Sequence, residues 1–361
     1  MHPNRAFVFR GIWKAIHRQQ LFQGFNCPET KEKTLLMNKM ALDPQIALYL
    51  KAAEELELPP LNTLRPEDAR IHLNERIYTE ISRPEEVKRV SNISVPGFKE
   101  EITLRVYTPE GEPPFPLLLF IHGGGWVICN LDTHDSLCRQ LANLAGCVVV
   151  SVDYHLAPEH KFPEPLEDCY CALQWVWENC SGIGGSRDCI AVGGDSAGGN
   201  ISASIAHLAR DRKLPALHYQ LLLYPALNLS GFETESHREF QEGYGLSRDD
   251  SIWFCMQYLR SEADCLNPLA SPLLAKSFHD LPPAHIVTAG YDILRDDGTF
   301  YFEKLRKAGV PVTLKCYEQF THAFLTMDGI VDSVRPAIIE IAEMLRRGFD
   351  RDPRSSFPAE N

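Results

Sequence analysis

Apolar residues fall along this chain in two alternating rhythms. Short, wholly apolar runs recur at 117–121 (Leu-Leu-Leu-Phe-Ile), 147–153 (Cys-Val-Val-Val-Ser-Val-Asp), 189–192, 219–223 (Tyr-Gln-Leu-Leu-Leu), 285–289 and 312–317. Runs with so little polar interruption suit strands covered on both faces. Between them, apolar residues repeat at helical spacing and predict helices over 133–145, 164–179, 198–211, 298–308 and 333–348. Such alternation predicts an α/β fold with a mostly parallel central sheet flanked by helices. In sheets of this kind, active sites gather at the carboxyl ends of the strands. Upstream, Ile102, Leu104 and Val106 alternate with Thr103, Arg105 and Tyr107, as in a half-buried strand.

Two segments stand outside this rhythm. From Ala41 to Leu58 the positions Ile46, Leu48, Tyr49, Leu50, Ala53 and Leu56 suit one helix, ended by Pro59-Pro60, and Arg65-Pro66-Glu67-Asp68 opens a second. Between Pro225 and Pro282 there is no core-strand signal. A helix is predicted there near 248–259, capped by Ser247 with Asp250 three positions later, and carrying Trp253, Phe254, Met256, Tyr258 and Leu259. An insertion at the active edge reads as a lid that pairs with the N-terminal helices. The expected division is therefore a catalytic body from 98–225 and 283–348, and a cap from 41–97 and 226–282. Residues 1–40 form an extension and 349–361 a frayed tail. Residues 1–28 contain Arg5, Arg10, Lys14 and Arg18 and no acid before Glu29, which fits organelle import or a dispensable extension, the second being favoured.

The formal net charge of −12 argues against a nucleic-acid partner and against docking on an anionic membrane. No apolar stretch approaches the ~18 residues of a membrane span. Eleven cysteines are scattered without any C-x-x-C pair, which fits reduced thiols in a cytoplasmic enzyme rather than zinc or a disulfide framework.

The chemistry sits where apolar runs end. Gly194-Asp195-Ser196-Ala197-Gly198 is the G-x-S-x-G pattern of a sharp strand-to-helix turn that exposes a serine oxygen. His122-Gly123-Gly124-Gly125-Trp126 is a glycine-rich loop able to aim backbone N–H groups at a developing oxyanion. Gly123, Gly124 and Ala197 are the expected donors. A serine needs an imidazole to take its proton and an acid behind that imidazole, in the chain order serine, acid, histidine. Of His207, His218, His237, His279, His285 and His322, only His322 lies in a loop after the last strand, and it is the expected base. Among Asp292, Asp296 and Asp297, Asp292 comes directly off a strand and is the expected acid. Asp296 and Asp297 read as first-turn acids of the next helix.

With these motifs the chain resembles the hormone-sensitive-lipase family of carboxylesterases, which includes the arylacetamide deacetylases. The resemblance runs from about Pro44 to Gly348. Its marks are His122 to Trp126, Asp153-Tyr154-His155-Leu156-Ala157-Pro158-Glu159, Gly194 to Asn200, Asp292, and His322-Ala323-Phe324. It implies an eight-stranded α/β-hydrolase fold with a helical cap. It also implies hydrolysis of small-molecule esters of short or medium acyl chain, without metal or cofactor, and it is compatible with a homodimer paired through 312–317. The family usually has Arg at His155, so a supporting ion pair is expected to be missing. It usually has Pro at Ile293, so a looser Asp292 is expected. An amidase or deacetylase using the same triad, and a ligand receptor without turnover, remain open alternatives.

Overall fold

In this computed structural model, which describes residues 41–56, 59–214 and 217–350, the apolar runs become the interior of one sheet. Its strands are β1 (Arg89–Pro96), β2 (Glu101–Thr108), β3 (Phe115–Ile121), β4 (Val148–Asp153), β5 (Gly185–Asp195), β6 (Tyr219–Leu223), β7 (Ala284–Tyr291) and β8 (Val312–Thr321). They lie in the order β1-β2-β4-β3-β5-β6-β7-β8. β2 runs antiparallel to β1 and β4, and every other pairing is parallel. Leu117–Ile121 and Val148–Val150 are wholly buried because helices cover both faces.

The covering helices are α3 (Asp135–Ala145), α4 (Glu164–Asn179), α5 (Ala197–Asp211), α8 (Arg295–Lys307) and α9 (Val334–Phe349). α9 buries the stripe Ala337, Ile338, Ile341, Ala342 and Leu345 in the same cluster as Leu137, Cys138 and Leu141 of α3. Each such large aliphatic side chain contributes roughly 1.5–3 kcal/mol over leaving it in water.

The remaining helices belong to the two segments outside the rhythm: α1 (Pro44–Glu55), α2 (Pro66–Glu80), α6 (Glu235–Glu239) and α7 (Arg248–Tyr258). Asp43 caps α1, accepting from the Gln45 N–H at 2.8 Å, and the Ser333 hydroxyl donates to its other oxygen at 2.6 Å. α7 starts at the foreseen capping box of Ser247 and Asp250.

Three features differ from expectation. β1 was not foreseen, because as an edge strand it buries only Val95 and shows no clean alternation. Tyr107, expected to face water, is buried, with its hydroxyl donating to Asp135 at 2.8 Å. The short α6 carries too few residues for a periodic signal. The extension 1–40, the 351–361 part of the tail, and residues 57 and 58 at the foreseen end of the first helix lie outside the described residues.

Candidate active site

β5 ends at Asp195 and α5 begins at Ala197, so the chain must reverse direction at Ser196. Ser196 does so with φ of 53°, a conformation costly for a residue with a Cβ. The turn is tight because β3 lies against it. A Cβ on Gly194 or on Gly198 would strike the Ile121 carbonyl, so neither position accepts another residue. The Ser196 N–H donates to the Leu223 carbonyl of β6 at 2.8 Å, fixing the elbow from its other side.

Asp292 follows β7 and His322 follows β8. His322 Nδ1 lies 2.8 Å from Asp292 Oδ2, and its Nε2 lies 2.9 Å from Ser196 Oγ. Asp292 is 1% exposed, and its other oxygen accepts from the Leu294 N–H at 2.8 Å. The edge of Tyr224 packs on the His322 ring at 5.2 Å. Thus the three side chains singled out in the sequence come together, while the other five downstream histidines do not join them. His207 meets the Tyr301 hydroxyl at 3.1 Å, His285 meets Thr313 at 2.7 Å, and His237 contacts Thr234. His218 enters β6, and His279 lies in the loop before β7.

The glycine loop departs from expectation at one position. The Gly123 N–H donates to Asp195 Oδ1 at 2.8 Å, so it has no hydrogen to offer an oxyanion. Asp195 is 2% exposed and also faces His134 Nε2 at 3.1 Å. Burial raises its carboxyl, but His134 and the Gly123 N–H outweigh burial and hold it below the usual range. By contrast, the N–H groups of Gly124, Gly125 and Ala197 make no hydrogen bond among the described residues, and all three residues line the cavity beside Ser196. Gly124 and Gly125 have φ of 103° and 57°.

That cavity has a volume of about 850 Å³. α1 and α2 line it on one side, and the 226–282 insertion lines it on another. Trp126 stacks on Tyr258 of α7 at 4.3 Å, and Phe254 of α7 lies against Gly125. Lys161 Nζ donates to the carbonyls of Met256, Gln257 and Leu259, holding the end of α7. Arg70 of α2 donates to the carbonyls of Val127 and Ala157, both at 2.7 Å, and pairs with Glu159.

Both departures from the family pattern have contacts of their own. His155 Nδ1 meets Asp168 Oδ2 at 2.7 Å, and the His155 N–H donates to the same oxygen at 3.2 Å. Ile293 is buried, with its carbonyl accepting from Ser236, and the Arg295 N–H reaches the Asp292 carbonyl at 3.1 Å. Asp297 is the expected first-turn acid of α8, and it is also buried, accepting from the Leu227 and Asn228 N–H groups at 2.8 and 2.9 Å. Its burial raises its carboxyl to about 7. Among the described residues no cluster of three His, Cys, Asp or Glu side chains could hold a metal ion, and no helix is long and apolar enough to cross a membrane.

Residues 118–326 match the family model described as the alpha/beta hydrolase fold. The chain belongs to the α/β-hydrolase family. It falls in the hormone-sensitive-lipase-like branch expected from its motifs. The carboxylic ester hydrolase LipN of Mycobacterium tuberculosis is 43% identical over 268 residues, which are 73% of this chain and 71% of that protein. An arylesterase of Saccharolobus solfataricus is 34% identical over 86% of this chain and all of its own length. Among solved structures, an ester-hydrolase from the metagenome of Lake Arreo, complexed with a bipyridine phosphonate derivative, superposes with a TM-score of 0.83. It is 37% identical and covers 86% of this chain and 100% of its own.

Proposed function

We propose that this α/β hydrolase cleaves small carboxylic esters through a Ser196–His322–Asp292 triad and an acyl-enzyme. The chain is a carboxylic ester hydrolase. His322 Nε2 takes the Ser196 proton as Oγ attacks the ester carbonyl, and Asp292 holds the ring and stabilises the imidazolium. The N–H groups of Gly124, Gly125 and Ala197 receive the oxyanion, with Ala197 adding the positive end of α5. Gly125 thus takes the place first expected of Gly123, which instead braces the loop through Asp195. His322 then returns the proton to the departing alcohol, and water repeats the attack on the acyl-serine.

The observation that carries this reading is the imidazole seated 2.9 Å from Ser196 Oγ and 2.8 Å from Asp292. Short to medium acyl chains fit a cavity of about 850 Å³ roofed by cap helices and walled by Trp126 and Phe254. The esterase names of the relatives point the same way. A homodimer paired along β8, one of the two outer strands of the sheet, and a reducing cytoplasmic setting for the unbridged described cysteines complete the proposal.

The deciding experiment is labelling by a fluorophosphonate probe together with a rate series over p-nitrophenyl esters of increasing chain length. Labelling lost in Ser196→Ala, and activity peaking at short or medium chains, are expected. Labelling that persists in Ser196→Ala removes the nucleophile from the proposal. Equal rates on a matched ester and anilide point to an amidase.

A further inference from the structure

The cavity wall made by α1 and α2 holds a polar group that the triad does not use. Glu80, the last residue of α2, is 4% exposed and lines the cavity. The Tyr49 hydroxyl of α1 donates to its Oε1 at 2.7 Å, and Arg76 Nε lies 3.1 Å from the same oxygen. Its Oε2 accepts no hydrogen bond among the described residues. This oxygen is not sealed from water but opens onto the cavity, where it can accept from a donor carried by a ligand. Burial accordingly drives the Glu80 carboxyl upward, against the opposing pull of Arg76 and Tyr49.

The position is tied to the catalytic elements. The Gly329 N–H donates to the Glu80 carbonyl at 2.9 Å, docking the end of α2 beside the turn Phe324–Met327 that follows His322. The charges around the cavity favour one sign of ligand. Leaving aside Asp195, which His134 and Gly123 hold, the lining carboxylates are Glu54, Glu80, Glu242 and Asp250, against Lys51 and Arg76. Lys51 is paired with Glu55, and Arg76 is already engaged with Glu80, so the remaining lining carboxylates leave the cavity with an excess of negative charge.

We propose that Glu80, supported by Tyr49 and Arg76, forms a subsite that receives an ammonium group carried by the ester away from its scissile carbonyl. This rests on the reading of the cavity as the ester site. Glu80 is a specificity residue here and takes no part in bond making. The free oxygen accepts the ammonium hydrogen while the first oxygen stays on Tyr49. A charge-assisted bond in a half-open cavity is worth about tenfold in kcat/KM.

The test compares p-nitrophenyl esters of ω-amino acids, of unsubstituted acids and of ω-carboxy acids at matched chain lengths, each corrected for spontaneous hydrolysis. A second set carries the ammonium on the alcohol side. In the unaltered protein the best ammonium ester is expected to exceed its neutral match by about tenfold, and the carboxylate ester to trail both. In Glu80→Gln, which keeps an acceptor for Tyr49, the ammonium-to-neutral ratio is expected to fall to near one, with the melting temperature reporting the fold. Tyr49→Phe, which frees Oε1, should keep the preference. No preference in either set, a ratio that survives Glu80→Gln, or a preference for the carboxylate ester through Arg76 overturns the subsite. Hydrolysis of the neutral esters, abolished by Ser196→Ala, reports separately on the ester-hydrolase reading.

Discussion

On the sheet side of the cavity, Ser196, Asp292 and His322 leave the ends of β5, β7 and β8; backbone fixes the first two, and Asp292 and Tyr224 hold the histidine ring. The Leu223 carbonyl holds the serine elbow, the Leu294 N–H holds the aspartate, and glycines at 194 and 198 allow β3 to close against the turn. On the helical side, α1, α2 and α7 meet the cavity through contacts that each depend on a side chain: Tyr49 on Glu80, Trp126 on Tyr258, and Lys161 on the carbonyls at the end of α7. The first wall is built from groups that a substitution elsewhere barely moves. The second can be retuned by changing one residue. On the proposed mechanism, chemistry sits on the sheet and selection on the helices.

The hardest test of this division is at the triad. Ser196→Ala and Asp292→Asn are each expected to lower kcat by about 10⁴-fold while the fold stays intact, as triad deletions do elsewhere. Steady-state kinetics beside a thermal melt checks this. A variant that keeps near-normal kcat would show that the sheet side does not carry the reaction.

The boundary between the two walls runs through Gly125. An added Cβ there would strike the Phe254 ring, so Gly125→Ala should push the glycine loop off the oxyanion position and cost about 10²-fold in kcat. Replacing Phe254 by Ala in the same chain should restore much of that loss. If the double variant is no better than the single one, the strain lies in the backbone at φ of 57° and the cap has no part in it.

The difference between the walls also governs what could be read in advance. Strands β3 to β7 were legible because burial on both faces demands apolar runs, and Ser196 and His322 were legible because a strand must end beside each. Gly123 was misassigned because sequence gives the order of three glycines and not which N–H faces Asp195. His134, which meets the same carboxylate, stands at the start of the helix predicted over 133–145, where nothing in the sequence marks it as a partner of Asp195. Glu80 was invisible for a related reason. On α2 it reads as one more surface acid, and only the packing of α1 and of the turn after His322 buries it.

Acid should expose a third contrast. Burial lowers His122, His207, His237 and His285 to about 4 from an ordinary 6.5. Between those values the unfolded chain binds protons that the fold refuses. Their contribution is therefore complete above about 6.5 and is lost as pH falls toward 4, on the order of 3 kcal/mol for each. Asp297, raised to about 7, acts in the opposite sense, favouring the fold at low pH and losing that effect as pH rises to 7. The histidines prevail by number, so the melting temperature should fall steeply from pH 6.5 to 4.5. His285→Gln, in β7, should flatten that fall for the whole molecule. His237→Gln, in the insertion, should do the same if cap and sheet melt together. If it flattens only an earlier, separate transition, the two walls are independent folding units.

The smallest expected effect lies at Arg70, and it separates positioning from chemistry. Its guanidinium bridges α2 to the Val127 and Ala157 carbonyls, and the Ala157 N–H in turn holds the Trp126 carbonyl at 2.8 Å. Arg70→Met keeps the apolar stem but leaves two carbonyls without that donor, a cost of about 1–3 kcal/mol. Because Trp126 and α2 shape the cavity while Ser196, Asp292 and His322 keep their own anchors, KM should rise several times more than kcat falls. The melting temperature should drop by a few degrees. A loss confined to kcat, as large as that of Gly125→Ala, would mean that the helices hold the reacting groups in place, and selection could no longer be assigned to one wall.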